Sequence, residues 1–434
     1  MAVSEPTGVA AASAGTPSQP TGRRYAGNGV VVAYVLAYFT LYIALLTPVV
    51  STLAVKVNTI SSASTRAGDL GLVAGVGAFF AFVVNPIAGA LSDRTTSRWG
   101  MRKPWLLGGI VVGTIGLAVL ASASSIGMVV VGWAIAQAGY NGAQGGLQAL
   151  LPDQVEEHRR GKVSGWLGIA QNVSSLFGIA IAALLAALSL PAPLMILLPA
   201  VLGIIGMVAL VVVLKDRRLP KSEAAPFHLG AFVKNFWVSP RKHPDFGWAF
   251  VGRFLMLFGF ATYNNYQVYF LLDRFHFDTA TALSWQLRLS IVQAVVLVAA
   301  AAAGGWLSDR TGRRKIFVII ATVLAGLGLL VFASAQDPNV LFLAAGLFGA
   351  GLGAYFAVDL ALVTDVLPNR DTDAAKNMGV FNIANALPQS LAPALAPVIL
   401  AIGSTTGNYA LLFVVAAVIV ILGAVSTMFI RGAR

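Results

Sequence analysis

Long apolar segments separated by short polar clusters constrain this chain more than any other feature. The hydrocarbon core of a bilayer is about 30 Å thick, and a helix needs about 20 apolar residues to cross it. Only helices and closed barrels satisfy their backbone hydrogen bonds inside that core. We therefore predict an all-α membrane protein with twelve transmembrane helices. The approximate segments are 28–55, 69–91, 104–123, 125–150, 164–188, 191–214, 246–272, 282–307, 315–335, 339–365, 377–401 and 407–431.

Composition excludes a soluble globular protein. Of the 434 residues, 57% are hydrophobic and 11% are charged, whereas a soluble chain carries about 25% charged residues. The sequence has no cysteine, and its four histidines are scattered, so we expect neither a disulfide framework nor a metal site. It also lacks the Gly-rich phosphate loop of ATP-driven proteins. We expect a protein that is not an enzyme and has no cofactor.

The distribution of basic residues predicts orientation. The net charge is +12, but Lys and Arg form short clusters between apolar segments, which favours membrane topology over nucleic-acid binding. Most of the 29 Lys and Arg lie in the two tails or in the loops after every second segment. Basic loops stay cytoplasmic, so we expect both termini in the cytoplasm and the protein in the plasma (cell inner) membrane. The exceptions are Lys56, Arg66, Arg253, Arg274 and Arg288.

Four regions follow from these patterns. Residues 1–27 are rich in Ala, Ser, Thr, Pro and Gly, which predicts a disordered cytoplasmic tail. Residues 28–214 should form an N-terminal six-helix bundle, and residues 246–434 a C-terminal one. The basic, proline-containing stretch 215–245 is the predicted cytoplasmic linker. We expect a monomer in a lipid bilayer, with no nucleic-acid partner.

A duplicated motif relates the two predicted bundles. The sequence GALSDRT at 89–95 returns as GWLSDRT at 305–311, and each copy leads into a basic cluster. A second correspondence follows in the same order, with Leu-Pro-Asp at 151–153 and Leu-Pro-Asn at 367–369. Two matches at nearly the same offset indicate duplication. Repeated membrane halves are typical of secondary transporters.

At these residues the chain resembles the major facilitator superfamily, whose signature is Gly-x-x-x-Asp-Arg-x-Gly-Arg-Arg-Lys. The second copy, 305–315, is close to the full pattern, and the first copy carries four extra residues. That longer form looks like the glycoside/pentoside/hexuronide cation symporters and the proton-coupled sucrose transporters, as do the stretches 357–368 and 382–389. The resemblance implies two pseudo-symmetric six-helix bundles, the major facilitator fold, working by alternating access.

The motif residues are candidates for a cytoplasmic gate. An aspartate and arginines at the membrane surface can cap helix ends and pair across a loop, which would hold one arrangement of helices. Alternatively, the arginines only determine topology. We expect Asp93 and Asp309 to cap helix ends, and the basic residues to pair with Asp153 and Asp365. The other members of the predicted gate are Gly89, Arg94, Arg102, Lys103, Gly305, Arg310, Arg313 and Arg314.

Charge inside a membrane is costly, so it marks candidate functional residues. Asp359 lies well inside segment 10, and we predict that it couples transport to a proton or another cation; the alternative is a structural acid of the gate. Arg288 lies inside segment 8 and could bind substrate or extend to the membrane surface. Arg253, near the start of segment 7, is expected to anchor the cytoplasmic surface.

Polar residues at helical spacing outline a predicted substrate cavity, because side chains three, four or seven positions apart share a helix face. Amides and phenols suit hydroxyl-rich solutes, although buried amides also join helices without contacting any ligand. Besides Arg288, the predicted substrate-binding residues are Tyr34, Tyr38, Asn141, Gln144, Gln148, Gln171, Asn172, Tyr263, Asn264, Gln267, Asn382 and Asn385.

Together these features predict a proton- or cation-coupled symporter of a sugar or glycoside, with a proton favoured over sodium. The alternative is a proton-coupled exporter of drugs or small metabolites. Against an exporter, segment 5 lacks the Gly-Pro pair that is common in the proton antiporters of the superfamily. In favour of an exporter, the first half lacks the intramembrane acid that the sugar symporters it resembles usually use for coupling.

Overall fold

A computed structural model describes residues 25–220, 222, 230, 238–239, 241–367, 374–403 and 407–432. Most of the predicted tail at 1–27, and most of the predicted linker at 215–245, lie outside the described residues. The described chain forms twelve long helices and no strand. They are α1 Asn28–Ile60, α2 Arg66–Ser92, α3 Lys103–Ser122, α4 Ile126–Gln154, α5 Glu157–Ala187, α6 Ala192–Val213, α7 Pro244–Arg274, α8 Thr279–Thr311, α9 Arg314–Ser334, α10 Val340–Asp365, α11 Ala374–Leu400 and α12 Tyr409–Met428.

The helices follow the predicted segments but are longer where polar residues continue them into the interfaces. Helix α5 begins at Glu157, seven residues before the apolar run, and α8 extends to Thr311. Among the described residues, eleven helices are long and apolar enough to cross a membrane. The twelfth, α4, falls short because several amides interrupt its apolar sequence. The all-α membrane fold is therefore confirmed.

Helix boundaries have local causes. Asp278 caps α8, since its carboxylate accepts a hydrogen bond from the Thr281 amide at 2.7 Å. Hydrogen bonds from the Thr281 side chain and from this amide lower the pKa of Asp278. The same helix ends at Gly312, whose φ of +64° favours glycine. Helix α1 contains a single π-helical turn at Pro48–Thr52, because the proline ring has no N–H to donate to the preceding turn.

Helices α1 to α6 form one bundle and α7 to α12 the other; we call them the first and second halves. Small residues let helices approach closely within each half. A Cβ atom on Gly139 of α4 would lie 2.1 Å from the Gly113 nitrogen of α3, so a larger residue there would separate the two helices. Between the halves, α2 packs on α11 and α5 packs on α8.

The two halves together have two ends, which we name by their loops. The motif end carries the duplicated motif in the α2–α3 and α8–α9 loops, and the far end carries the α1–α2 and α7–α8 loops. At the far end, side chains of the two halves make direct contacts. The Ser51 hydroxyl donates to Gln286 Oε1 at 2.8 Å, and the Tyr269 hydroxyl donates to the Ala54 carbonyl at 3.0 Å. The far end is therefore closed.

Candidate functional site

A central cavity of about 560 Å³ lies between the two halves. On its far side, Leu53 and Ala74 are buried, whereas Gln148 and Phe356, toward the motif end, are exposed. The cavity is therefore open toward the motif end. Both halves contribute polar side chains to its wall: Tyr38, Tyr42, Asn85, Gln137, Asn141 and Gln144 from the first, and Arg253, Asn265, Asn385 and Gln389 from the second.

The first-half wall carries a connected set of neutral polar groups. The Gln144 amide donates to the Tyr42 hydroxyl at 2.6 Å, and the Tyr38 hydroxyl donates to the same oxygen at 3.4 Å. On the next turns of α4, the Asn141 amide donates to Gln137 Oε1 at 2.8 Å. Because these groups hold one another in fixed orientations, their remaining donors and acceptors face the cavity in a defined pattern.

Aromatic rings line the same cavity. Tyr38 and Tyr42 pack with ring centroids 4.7 Å apart, while Trp133, Phe260 and Phe356 form other parts of the wall. Aromatic faces contact the apolar C–H surfaces of a solute, while amides contact its polar groups. A cavity of this size and lining fits a small polar organic molecule.

The second-half wall contains a charged pair. Arg253 of α7 lines the cavity, and its Nη1 donates to the carboxylate of Asp359 on α10. Its Nε donates to the Asn385 side chain on α11, and its guanidinium lies over the Phe381 ring at 4.8 Å. Asp359 itself is 2% exposed. The expectation that Arg253 is a surface anchor is therefore wrong, because only 14% of its side chain is exposed.

Six of the predicted substrate-binding residues line the cavity: Tyr38, Asn141, Gln144, Gln148, Gln171 and Asn385. Asp359, the predicted coupling residue, lies behind Arg253 and reaches the cavity wall only through that side chain. The six predicted residues of the cavity wall come from four helices: α1, α4, α5 and α11.

Several other predicted residues point elsewhere. The Tyr34 hydroxyl donates to the Leu147 carbonyl at 2.8 Å and is buried. Tyr263 accepts from Gln267 at 2.9 Å and packs among phenylalanine rings inside the second half. Because Tyr263 and Gln267 are four residues apart, they share a face of α7 that turns away from the cavity, while Asn265 lies on the cavity side.

Of the last four predicted substrate-binding residues, three lie outside the cavity wall and one has a side chain outside the described residues. Asn172 is exposed and donates to the Gly168 carbonyl of its own helix at 2.9 Å. Arg288 is exposed, with its guanidinium 5.7 Å from the centroid of the Trp285 ring. Asn264 is partly buried and is not part of the cavity wall. The side chain of Asn382 falls outside the described residues.

Sequence reasoning missed Asn85, Gln137 and Arg253. A signal for each was present. Asn85 is the one amide in the apolar helix α2, and Gln137 lies four residues before Asn141. Arg253 stands nine residues into α7, which is deep enough to leave the membrane surface at about 1.5 Å of rise per residue.

At the motif end of the first half, the buried Arg102 is the centre of a set of contacts that we call the first-half latch: Ser92, Asp93, Arg102 and Asp153. Arg102 Nη2 lies 2.6 Å from Asp93 Oδ1 and 2.8 Å from Asp153 Oδ2, and its Nη1 donates to the Ser92 hydroxyl at 2.5 Å. Its side chain is 5% exposed. The arginine thus joins the end of α2, the start of α3 and the end of α4.

Other members of the predicted gate act through backbone groups. Arg94 Nη1 donates to the Ala90 carbonyl at 2.6 Å, which caps the end of α2. The amides of Arg102 and Lys103 donate to Asp216 Oδ2 at 2.7 Å and 2.8 Å. Asp216 follows α6, so the beginning of the linker region is attached to the first turn of α3. Gly89 lies where α2 crosses α4, since a Cβ on Gly145 would be 2.9 Å from its nitrogen.

The equivalent contacts in the second half are fewer. We call Ser308, Asp309, Arg314 and Asp365 the second-half latch. Arg314 Nη1 lies 2.6 Å from Asp365 Oδ2, and both side chains are 32% exposed. Among the described residues, the buried Ser308 hydroxyl has no hydrogen-bond partner, and the structure gives Asp309 no ion pair. Three more predicted gate residues are spread out: Arg310 lies over Trp306 at 5.3 Å, Arg313 precedes α9, and a Cβ on Gly305 would have room.

Twelve helices in two halves around a central polar cavity define a membrane transport protein. The family model of the Major Facilitator Superfamily matches residues 30–303 and 279–433. The chain belongs to this superfamily, and it is a transporter rather than an enzyme.

Similar proteins agree with this assignment. A stretch of 41 residues is 54% identical to an uncharacterized symporter of Synechocystis and covers 9% of this chain and 8% of that protein. A stretch of 115 residues is 31% identical to the sucrose transport protein SUC4 of Arabidopsis thaliana and covers 22% of each chain. The chain thus matches less than a quarter of the length of either relative. The crystal structure of a D-xylose-proton symporter has the same fold, with a TM-score of 0.68, 17% identity, and coverage of 93% of this chain and 98% of that one.

Proposed function

We propose that this transporter is a proton-coupled symporter of a neutral, hydroxyl-rich solute, a sugar or glycoside. One observation carries the proposal: a wall of amides and phenols faces a buried arginine–aspartate pair across the same cavity. The names of the proteins it resembles, a symporter, a sucrose transporter and a D-xylose-proton symporter, support the same substrate class and direction.

Charge in the cavity favours a neutral solute. Arg253 is the charged side chain among the described residues of the cavity wall, and Asp359 already neutralises it. An anionic solute would find no unpaired cation there, and removing it from water would cost free energy without compensation. Amides can donate and accept at the same time, which matches hydroxyl groups that do both.

Asp359 is the proposed coupling group, and Arg253 connects it to the substrate. When Asp359 is ionised, its carboxylate holds Arg253 Nη1. A proton bound by Asp359 removes the negative charge and releases that N–H, which can then donate to a substrate hydroxyl at the cavity wall. Proton and solute would therefore bind best together. Alternating access would deliver both to the other side.

The proposal is tested with purified protein in liposomes, with sucrose, xylose and a phenyl glucoside as probes. Acid outside the vesicles should drive uptake of at least one probe above its external concentration, because a symporter moves solute with the proton. A sodium gradient alone should not. Accumulation driven by acid inside the vesicles would instead identify an exchanger, the mechanism of the alternative exporter. Uptake that reaches only equilibrium under every gradient would contradict coupling altogether.

We also propose that the protein lies in the plasma membrane with its motif end and both termini in the cytoplasm. The positions of the basic clusters support this orientation. Because the chain has no cysteine, single cysteines report it directly. Ser62→Cys, in the far-end loop, should react with an impermeant thiol reagent added to intact cells. Ser239→Cys, before α7, should react only after the cells are opened, and the reverse pattern would invert the topology.

A further inference from the structure

At the far end, an ion pair crosses from one half of the protein to the other. We propose that Arg66 and Asp273 form a lock that keeps the far end closed, and that this lock must release before the cavity can open to that side. The proposal requires only that the protein is a transporter with alternating access. It does not depend on the sugar or on the proton.

The lock joins the start of one helix to the end of another. Arg66 is the first residue of α2, and Asp273 is the penultimate residue of α7. Arg66 Nη2 contacts Asp273 Oδ1, Nη1 donates to Asn58, and the guanidinium lies over the Tyr269 ring at 5.2 Å. The two side chains are 11% and 25% exposed. The pair is thus partly shielded from water. A charge interaction in such a place is stronger than one at an open surface.

A layer of neutral contacts lies beneath the lock, toward the cavity. Gln286 accepts from Ser51 at 2.8 Å and donates to the Val50 carbonyl at 2.6 Å. The Tyr266 hydroxyl reaches the Pro393 carbonyl at 3.2 Å. Each of these bonds joins α1 with α8, or α7 with α11. The first two join the two halves, as do the bonds from the Tyr266 and Tyr269 hydroxyls to the Ala67 and Ala54 carbonyls at 3.4 Å and 3.0 Å. The lock and these bonds together separate the cavity from the far surface.

The lock is held by charge but is incompletely hydrogen-bonded. Among the described residues, six buried side-chain atoms lack a hydrogen-bond partner, and three of them lie here: Arg66 Nε, Asp273 Oδ2 and Tyr409 Oη. A buried polar atom without a partner costs free energy that water would recover. Opening the far end would hydrate all three atoms, which offsets part of the lost attraction between Arg66 and Asp273. The pair therefore stabilises the closed far end by less free energy than a fully hydrogen-bonded ion pair would.

The lock can be tested without any substrate. Ala54 is 4% exposed and lies in the closed region, outside the cavity wall. In a chain without other cysteines, Ala54→Cys should react slowly with a maleimide in detergent solution. Arg66→Gln should increase the labelling rate several-fold, and so should Asp273→Asn. The double variant should match the single ones, because each single change already breaks the same pair.

Arg288→Gln is the matched control, since it removes one positive charge from an exposed arginine near the same end. Its labelling rate should equal that of Ala54→Cys alone. The proposal is overturned if either Arg66→Gln or Asp273→Asn leaves the labelling rate unchanged, or if their effects add in the double variant. An equal increase in Arg288→Gln would also overturn it, because the effect would then come from charge rather than from the pair.

Discussion

Arg102 and Arg314 occupy equivalent places in the two halves, yet their surroundings differ. Arg102 is 5% exposed and holds Ser92, Asp93 and Asp153, whereas Arg314 is 32% exposed and holds Asp365. The loops before the two arginines differ as well. Both copies turn at a glycine with positive φ, Gly100 at +112° and Gly312 at +64°, but the first copy has four additional residues before that turn.

The two halves also differ in the charge that they place at the cavity wall. The first half lines the cavity with neutral amides and phenols, and the second half carries Arg253 and Asp359. Both halves carry a charged latch at the motif end, but among the described residues only the second half also has a charged pair at the cavity. The duplication supplied one fold twice, and the two copies have since specialised. In our account the first half is a rigid frame that shapes the site, and the second half carries the charge that binds and releases the ion.

The largest difference in folding stability should appear between a variant of Arg253 and a variant of Gln144, a neutral residue of the opposite wall. Arg253→Ala would leave the buried Asp359 without a cation, which costs about 3–5 kcal/mol of folding stability. Gln144→Ala loses one hydrogen bond to Tyr42, about 1 kcal/mol. The free energy of unfolding in detergent micelles measures both.

The double variant Arg253→Gln with Asp359→Asn separates pairing from packing. It should recover most of the stability lost in Arg253→Ala, because no unpaired charge remains. Equal losses in Arg253→Ala and Gln144→Ala would show that the pair contributes nothing beyond an ordinary hydrogen bond.

The two latches provide the next comparison. Arg102→Gln removes a buried arginine that holds two partly exposed carboxylates, Asp93 and Asp153, and should cost about 2 kcal/mol. Arg314→Gln breaks a partly exposed pair and should cost less than about 1 kcal/mol. Thermal unfolding of the two variants in the same detergent measures the difference. Similar losses would mean that the exposure of the two arginines does not determine their contribution.

The smallest difference in stability is expected between variants of Ser92 and Ser308, the equivalent serines of the two latches. Ser92→Ala would leave Arg102 Nη1 without its acceptor, a loss of about 1 kcal/mol. Ser308→Ala removes a buried hydroxyl that has no partner among the described residues, so stability should stay the same or rise slightly. The same unfolding measurement distinguishes them. A greater loss in Ser308→Ala than in Ser92→Ala would contradict the asymmetry of the latches.

Much of the architecture could be predicted from sequence because it depends on local patterns. Apolar run length predicted the helices, and the repeated motif predicted two halves. Spacing on α4 placed Asn141, Gln144 and Gln148 on one face, which the structure turns toward the cavity. Each of these inferences uses residues within a few helical turns.

What escaped prediction depends on contacts between distant segments. Arg253 and Asp359 are 106 residues apart, and no local pattern shows that they meet. Asp216 binds backbone amides of α3, so its partners leave no side-chain signature. The polar run on α7 predicted a cavity face, but only helix packing decides that Asn265 faces the cavity while Tyr263 faces the core.

The central claim is that Asp359 carries the coupling proton, and one experiment in liposomes tests it most directly. Asp359→Asn mimics a permanently protonated acid, so exchange of a transported sugar down its own gradient should persist. Accumulation driven by acid outside should be lost, with the internal concentration no higher than the external one. Asp365→Asn, at the exposed latch, is the matched control and should still accumulate the sugar. If Asp359→Asn accumulates the sugar as the parent protein does, Asp359 does not carry the proton and the account is wrong.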